Sequence, residues 1–284
     1  LFVSQPSLSA ALRELETEAG IELLLRSPRG ISLTDEGVEF LRYARQVVEQ
    51  ADLLEHRYAG GPAPRRLCSI STQHYAFAVE ALVRLIRRGD AEEYEYTLRE
   101  TRTHEIIEDV RTLRSEIGIL YLDDFNRQVI EKFLSESRLE VHPLFSARPH
   151  VFLGAQHPLA NRCELELEDL ADSPYLSFEQ GEYNSFHFSE EILSTARHKK
   201  SIRVSDRATL FNLLVGLDGF TVSTGILSPA LNGDRIVAIP LRSEEQIHVV
   251  WIAPRQVRLS RQAEAYVSEL RDVIRENGYK PEES

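Results

Sequence analysis

Small hydroxyl and amide side chains stand where a predicted strand gives way to a helix in the segment SISTQHY, residues 69–75. Ser71, Thr72 and Gln73 would present their side chains and free backbone N–H groups at the amino end of that helix. Such an end attracts negative charge, because its first N–H groups have no partner inside the helix and its dipole is positive there. The segment therefore predicts a contact with a small anionic ligand.

A second junction of the same kind occurs in ETRTHE, residues 100–105. Thr101 and Arg102 would add a hydroxyl and a cation to the same ligand. An arginine beside Glu100 and Glu105 could equally form a surface ion pair, which is its more common fate. Both interpretations remain open at this point.

Two further segments, LSFEQGEY and TVSTG, are predicted to end strands in a later part of the chain. They offer Phe178, Glu179, Ser223 and Thr224 as ligand contacts, since clefts between α/β lobes lie at strand ends. Glu179 would instead favour a ligand that carries an amino group, and such a ligand would be zwitterionic. The larger number of donors favours a plain anion, and an ordinary cap or turn role is the alternative at each position.

Other chemistry finds little support in the sequence. His187 and His198 share a predicted helix but lie eleven positions apart, which is not the spacing of a metal-ligand pair. Nucleophile-elbow, P-loop and dinucleotide fingerprints are missing from the sequence. Cys68 and Cys163 fall far apart, so we predict buried, inert thiols rather than a redox switch. We therefore predict no catalytic residue, no metal and no cofactor.

Composition sets the class of protein. The 284 residues include 42% hydrophobic and 27% charged residues, as in an ordinary globular protein. A net charge of −12 means that any DNA contact must be local. Two cysteines, no long apolar run and no signal sequence predict a cytoplasmic protein without membrane contact. Because methionine is absent, we expect that the chain begins part-way into a longer protein or that methionines were left out.

The helix predicted over residues 5–18 has two unlike faces. Leu8, Leu12 and Leu15 recur at helical spacing and form an apolar stripe together with Ala11. The opposite face is small, polar and nearly uncharged, which suits close approach to a large polar partner. That face carries Gln5, Ser7, Ser9, Ala10 and Arg13.

A longer helix is predicted over residues 35–58, capped by Thr34 and followed by a Gly-Pro linker at 60–66. Its apolar positions repeat every three or four residues, and nothing before the linker can cover them. An uncovered stripe of this length usually pairs with a copy of itself. The stripe consists of Phe40, Leu41, Ala44, Val47, Val48, Ala51, Leu54 and Tyr58.

Beyond the linker, strands and helices alternate, which predicts an α/β fold with mostly parallel sheets. About 210 residues suffice for two linked lobes. Strands are predicted at 67–72, 95–101, 117–122, 139–145, 150–155, 175–178, 202–205, 220–223, 235–239 and 246–253. Helices are predicted near 76–88, 104–115, 127–134, 166–171, 184–197, 206–216 and 260–276.

The amino-terminal stretch contains the motifs VSQPSLS, LE, L..R and LT..G in that order. In these motifs and their spacing, it closely resembles the DNA-binding region of LysR-type transcriptional regulators. The remainder resembles their effector domain. The resemblance implies an α/β effector domain of two Rossmann-like lobes (periplasmic-binding-protein type 2), preceded by a winged helix-turn-helix and a long linker helix. It also implies homodimers or homotetramers on operators that are interrupted inverted repeats. Relative to the family, the chain is expected to lack the first helix and most of the second helix of the winged domain.

The resemblance also implies a division of the chain into domains and a set of DNA contacts. The implied domains are a partial winged helix-turn-helix at 1–34, a dimerisation helix at 35–59, a hinge linker at 60–66, lobe one at 67–148 with 248–277, and lobe two at 149–247. The family's base and phosphate contacts fall on Gln5, Pro6, Ser7, Ser9 and Arg13, and its wing contacts fall on Arg26 and Arg29.

Alternatives from other classes remain. The helix from Gln5 could pack in the core of an ordinary α/β protein. The chain could also be a solute-binding protein or a small enzyme on the same two-lobed fold. A solute-binding protein would need a secretion signal and no helix-turn-helix, whereas this sequence shows the reverse pattern.

Overall fold

The computed structural model describes residues 5–27, 30–41, 43–44, 47–48, 66–89, 93–183 and 185–282. The chain divides into two units, Leu1–Pro64 and Arg65–Ser284. In the described ranges, no helix combines the length and the apolar character that crossing a bilayer requires.

In the first unit, helix α1 (Gln5–Ala19) is followed by an antiparallel hairpin of β1 (Leu24–Ser27) and β2 (Gly30–Leu33). The Glu16 carboxylate fastens the helix to the hairpin, because its Oε1 accepts the N–H groups of Leu23 at 2.9 Å and Leu24 at 3.1 Å. The helix predicted over residues 5–18 is confirmed.

Helix α2 begins after the hairpin and is described at 35–41, 43–44 and 47–48. Thr34 caps it as predicted, since its Oγ1 accepts the N–H of Gly37 at 2.8 Å. In the described part of the apolar stripe, Leu41 and Val48 are exposed and Val47 is 68% exposed. The other end of the stripe, including Leu54 and Tyr58, lies outside the described residues.

The second unit contains two five-stranded sheets, which define its two lobes. The sheet of lobe one has the order β4-β3-β5-β12-β6. Its strands are β3 (Arg66–Thr72), β4 (Tyr94–Glu100), β5 (Ile117–Leu122), β6 (Leu139–Ala147) and β12 (Ile247–Pro254). The helices of this lobe are α3 (Ala76–Arg88), α4 (Thr103–Arg111), α5 (Arg127–Glu136) and α8 (Arg261–Glu276).

The sheet of lobe two has the order β11-β7-β10-β8-β9. Its strands are β7 (His150–Gly154), β8 (Tyr175–Phe178), β9 (Ser201–Val204), β10 (Phe220–Ser223) and β11 (Ile236–Pro240). Helix α6 (Arg207–Gly216) packs on this sheet, and α7 (Pro229–Asn232) is a single turn. One buried apolar cluster includes Ile70 and Phe77 of lobe one and Phe220 and Val222 of lobe two, so the lobes share part of their core.

Two secondary-structure predictions are wrong. The sheets are mixed rather than mostly parallel: four neighbouring strand pairs in the described part of this unit are parallel and four are antiparallel. In each lobe, one strand runs antiparallel to both of its neighbours: β12 in lobe one and β7 in lobe two. The helix predicted at 184–197 is a short 3-10 helix, Phe186–Phe188, followed by turns.

Candidate functional site

At the first predicted junction, at the end of β3, the side chains already form hydrogen bonds within lobe one. Ser71 is fully buried, and its hydroxyl donates to Asp109 at 2.7 Å and lies 2.9 Å from the Ser115 hydroxyl. The Thr72 hydroxyl donates to the backbone oxygen of Gln73 at 2.8 Å. A ligand would have to break these bonds to use either hydroxyl as a donor.

Gln73 positions its neighbours. Its Nε2 donates to the Thr103 hydroxyl at 2.7 Å, which connects β3 to the start of α4. Its Oε1 accepts the Tyr75 hydroxyl at 2.9 Å and the N–H of Tyr121 at 3.0 Å. With 1% of the residue exposed, Gln73 fixes the ends of β3 and β5 and the first turn of α4 against one another.

At the second junction, the ion pair that the sequence left open for Arg102 is present. The Arg102 guanidinium lies 3.0 Å from Glu105, and it also donates to Glu179 of lobe two. Thr101 donates to the same Glu105 carboxylate. The hydrogen bond from Arg102 holds the pKa of the Glu179 carboxyl below its usual range. Arg102 and Glu179, both predicted ligand contacts, therefore bind each other across the cleft.

The lobe-two residues also border the cleft. The Phe178 ring stacks on His74 of lobe one, with ring centroids 3.8 Å apart and planes 6° from parallel. Ser223 lines a small cavity beside this stack. Thr224 is buried, and its backbone oxygen accepts the Tyr279 hydroxyl at 2.8 Å, which adds a further link to the segment after α8.

A buried polar link between the lobes, which the sequence did not predict, joins His74 to Glu190. His74 donates its backbone N–H to Glu190 at 3.1 Å, and its Nδ1 lies 2.8 Å from the same carboxylate oxygen. The two side chains are only 5% and 4% exposed. Burial alone would lower the pKa of His74, but the charge and hydrogen bond of Glu190 outweigh it and raise the pKa overall. The helix predicted at 184–197 gave no indication of this pair, because the contact depends on the turns that replace that helix.

Two more links join the lobes around that pair. Gln180 accepts the Thr103 N–H at 3.1 Å and donates to Glu190 at 3.2 Å. Glu100, at the end of β4, lies 3.1 Å from Arg207 at the start of α6. Burial raises the pKa of the Glu100 carboxyl, and Arg207 offsets only part of that effect.

The cleft between the lobes is nearly closed beside the stack of Phe178 on His74. Its cavity measures about 30 Å³ and is lined by residues of both lobes, including His74, Phe178, Glu190 and Arg207. A cavity of this size holds only one or two water molecules. An organic effector at this point must therefore separate the lobes or displace the side chains that bridge them.

The polar face of α1 is described more sparsely. Pro6, Ser7 and Arg13 are exposed, and Ser9 is half-buried. Leu8, assigned to the apolar stripe, is exposed as well. The side chains of Gln5 and Arg26 and the whole of Arg29 lie outside the described part of the chain, so their DNA contacts stay predictions.

The cysteines differ from each other. Cys68 is buried, and burial, aided by Glu116, raises its pKa to about 12, so its thiol stays protonated. The prediction of a buried thiol is wrong for Cys163, which is exposed. Within the described ranges, no group of histidine, cysteine, aspartate and glutamate could hold a metal ion.

Comparison with known proteins extends this geometry to a family. The model of the LysR substrate binding domain matches residues 64–275, and that of the bacterial regulatory helix-turn-helix protein, lysR family, matches residues 1–38. YnfL of Escherichia coli K12, described as an uncharacterized HTH-type transcriptional regulator, is 26% identical over 262 residues, covering 89% of this chain and 83% of YnfL.

Two further comparisons point to the same family. The DNA-binding transcriptional dual regulator OxyR of Escherichia coli K12 is 26% identical over 261 residues, covering 89% of this chain and 81% of OxyR. A solved mutant of full-length BenM shares the fold, with a TM-score of 0.55 at 21% identity over 100% of this chain and 92% of BenM. The predicted two-lobed fold and family resemblance are confirmed. The chain belongs to the LysR family of transcriptional regulators, with the family's DNA-binding helix-turn-helix and effector-binding domain.

Proposed function

We propose that the chain acts in the cytoplasm as a homodimer or homotetramer that binds an interrupted inverted repeat in operator DNA. The exposed Ser7 and Arg13 on α1 support this proposal, since hydroxyl and guanidinium groups suit phosphate and base contacts. Gln5, Pro6 and Ser9 complete the proposed reading face, and Arg26 and Arg29 are the proposed DNA contacts of the wing. The exposed stripe of α2 supports pairing of two chains.

For the effector site we propose the cleft between the two lobes, and for the effector a small anion. The observation that carries this proposal is the bridge from Arg102 to Glu179. Both side chains are about one third exposed, at 37% and 32%, so the bridge is screened by solvent and contributes little stability. A carboxylate on the effector can therefore replace Glu179 on Arg102 at little cost.

The exchange would release the carboxylate of Glu179 at the same edge of the cleft. An effector that also carries an amino group would satisfy it, which is the zwitterionic alternative. In both cases the effector is bound and released unchanged, so the chain acts in this proposal without a catalytic step and without a cofactor.

A thermal-shift screen of the full chain with small carboxylates and amino acids tests the effector site. A ligand at 100 times its Kd stabilises the folded chain by about 2.7 kcal/mol, or about 5–10 °C for a domain of this size. Arg102→Gln should abolish that shift. Arg111→Gln is the matched control, because Arg111 lies at the opposite end of α4 and pairs with Glu108 one turn away on the same helix. Stabilisation that survives Arg102→Gln would contradict the proposed contact.

A further inference from the structure

The segment that follows α8, residues 277–282, turns away from its helix, and we call it the clasp segment. Gly278 lies just past the end of α8, and its φ of 85° is the left-handed conformation that favours glycine. The N–H of Gly278 donates to the oxygen of Arg275 at 3.0 Å, and the N–H of Tyr279 donates to the oxygen of Ile274 at 3.2 Å. This pair of bonds is a Schellman cap, which ends the helix and redirects the chain.

The clasp segment is fixed to the two strands of lobe one through which the chain enters and leaves lobe two. Strand β6 leads into lobe two, and β12 returns from it. Glu282 donates its backbone N–H to the oxygen of Leu144 in β6 at 2.8 Å. The Ser146 hydroxyl, also in β6, donates to the Glu282 carboxylate at 2.8 Å and lies 2.8 Å from Nδ1 of His248 in β12. These bonds hold the segment next to both crossings between the lobes.

Tyr279 joins the same segment to lobe two. Its ring packs against Phe145 of β6, with ring centroids 5.3 Å apart. Its hydroxyl donates to the backbone oxygen of Thr224 at 2.8 Å. Thr224 is 1% exposed and comes directly after Ser223, the last residue of β10, which lines the cleft cavity. The Tyr279 hydroxyl therefore binds lobe two next to the wall of the cleft.

This hydrogen bond opposes rotation of one lobe relative to the other. Its donor is held by lobe one and its acceptor belongs to lobe two, so a rotation that opens the cleft changes their distance and angle. A hydrogen bond weakens steeply when either departs from the ordinary range. Apolar packing is the alternative role of Tyr279, since its ring packs against the buried cluster that the two lobes share. A phenylalanine ring would serve that packing equally well, which separates the two roles.

We propose that the clasp segment holds the two lobes in the arrangement in which the cleft is nearly closed, and that the Tyr279 hydroxyl provides its bond to lobe two. The proposal goes beyond the effector site, because it concerns the crossings between the lobes and is independent of the ligand that the cleft binds. Tyr279 is a positioning residue that acts on the cleft through Thr224. Loss of its hydroxyl should let the lobes separate more often while each lobe stays folded.

Hydrogen–deuterium exchange of the full chain, resolved to single amides by mass spectrometry, tests this proposal without a ligand. Two backbone N–H groups of lobe one report separation of the lobes, because they donate to side chains of lobe two. The N–H of His74 donates to Glu190, and the N–H of Thr103 donates to Gln180. Leu120, which is fully buried in β5, is the reference within lobe one.

Exchange in Tyr279→Phe should be faster at the reporter amides of His74 and Thr103 by about two- to tenfold, the effect of one hydrogen bond on a local opening. Exchange at Leu120 should stay unchanged. Tyr94→Phe removes an exposed hydroxyl on β4 and is the matched control, which should exchange as the parent chain does. Unchanged exchange at both reporter amides in Tyr279→Phe would overturn the proposal. An equal rise at Leu120 would also overturn it, because the hydroxyl would then support lobe one as a whole.

Discussion

Disruption of the pair of His74 and Glu190 should weaken the chain more than loss of any other single contact between the lobes. The Glu190 carboxylate accepts a hydrogen bond from the His74 N–H and lies 2.8 Å from His74 Nδ1. It also accepts a hydrogen bond from Gln180 Nε2. A hydrogen bond to a charged group contributes about 1.5–3 kcal/mol, and breaking a buried ion pair costs about 3–5 kcal/mol. We therefore expect a coupling energy of about 2–3 kcal/mol between His74→Gln and Glu190→Gln in a double-mutant cycle.

The coupling should depend on pH. The folded-state pKa of His74 is raised above its unfolded value of about 6.5, since Glu190 outweighs burial. The stability that the charged pair contributes is then fully present below pH 6.5 and is lost as pH rises through the folded pKa. Glu100 raises the same pKa further and Arg207 lowers it, so the loss also reflects those two groups. The coupling energy should be larger at pH 6 than at pH 9.

Urea unfolding measures the coupling. Trp251, the single tryptophan of the chain, lies in β12 and stacks on His142, so its fluorescence reports unfolding of lobe one. Circular dichroism at 222 nm gives an independent transition for the same samples. A coupling energy below about 0.5 kcal/mol at pH 6, which is within ordinary additivity, or one unchanged at pH 9, would refute the assignment of a charged pair.

Other consequences concern single elements of the chain. Arg207→Gln should cost about 3 kcal/mol of unfolding free energy, because it leaves Glu100 partly buried without its cation. Arg242→Gln, in an exposed pair with Glu164, should change the unfolding free energy far less, and chemical denaturation measures both. Thr34→Ala should lower the stability of the first unit by about 1 kcal/mol through loss of the cap on α2, and Thr34→Ser should restore most of it in the same denaturation assay. Val47→Asp with Leu54→Asp should dissociate the oligomer in light scattering, since burial of each apolar side chain contributes about 1.5–3 kcal/mol, and an unchanged mass would contradict pairing through this stripe.

The sequence predicted the elements of the chain better than the pairing between them. Alternation of strands and helices located β3, β5 and α8 correctly, because local periodicity and capping decide those elements. The return of β12 to the sheet of lobe one is a long-range contact, so the antiparallel half of each sheet has no local pattern to reveal it.

The same lack of a local pattern explains why the contacts within the site could not be predicted. The position of Arg102 at the cleft could be predicted from its strand-to-helix junction, but its partner Glu179 lies far away in the sequence. The segment that contains Glu190 and Glu191 was predicted as a helix for a different reason. Their segment has helix-forming composition, and contact with His74 and burial against Phe178 override that preference.

We propose that this chain reads operator DNA through α1. The direct measurement is selection of genomic fragments by the full-length protein, followed by footprinting of the fragments it retains. We predict protection of an interrupted inverted repeat, and loss of about 1–3 kcal/mol per specific contact in a Gln5→Ala, Arg13→Ala variant, while Arg111→Ala on α4 keeps the footprint. Selection without any enriched repeat, or a footprint unchanged in the double variant, would contradict the account.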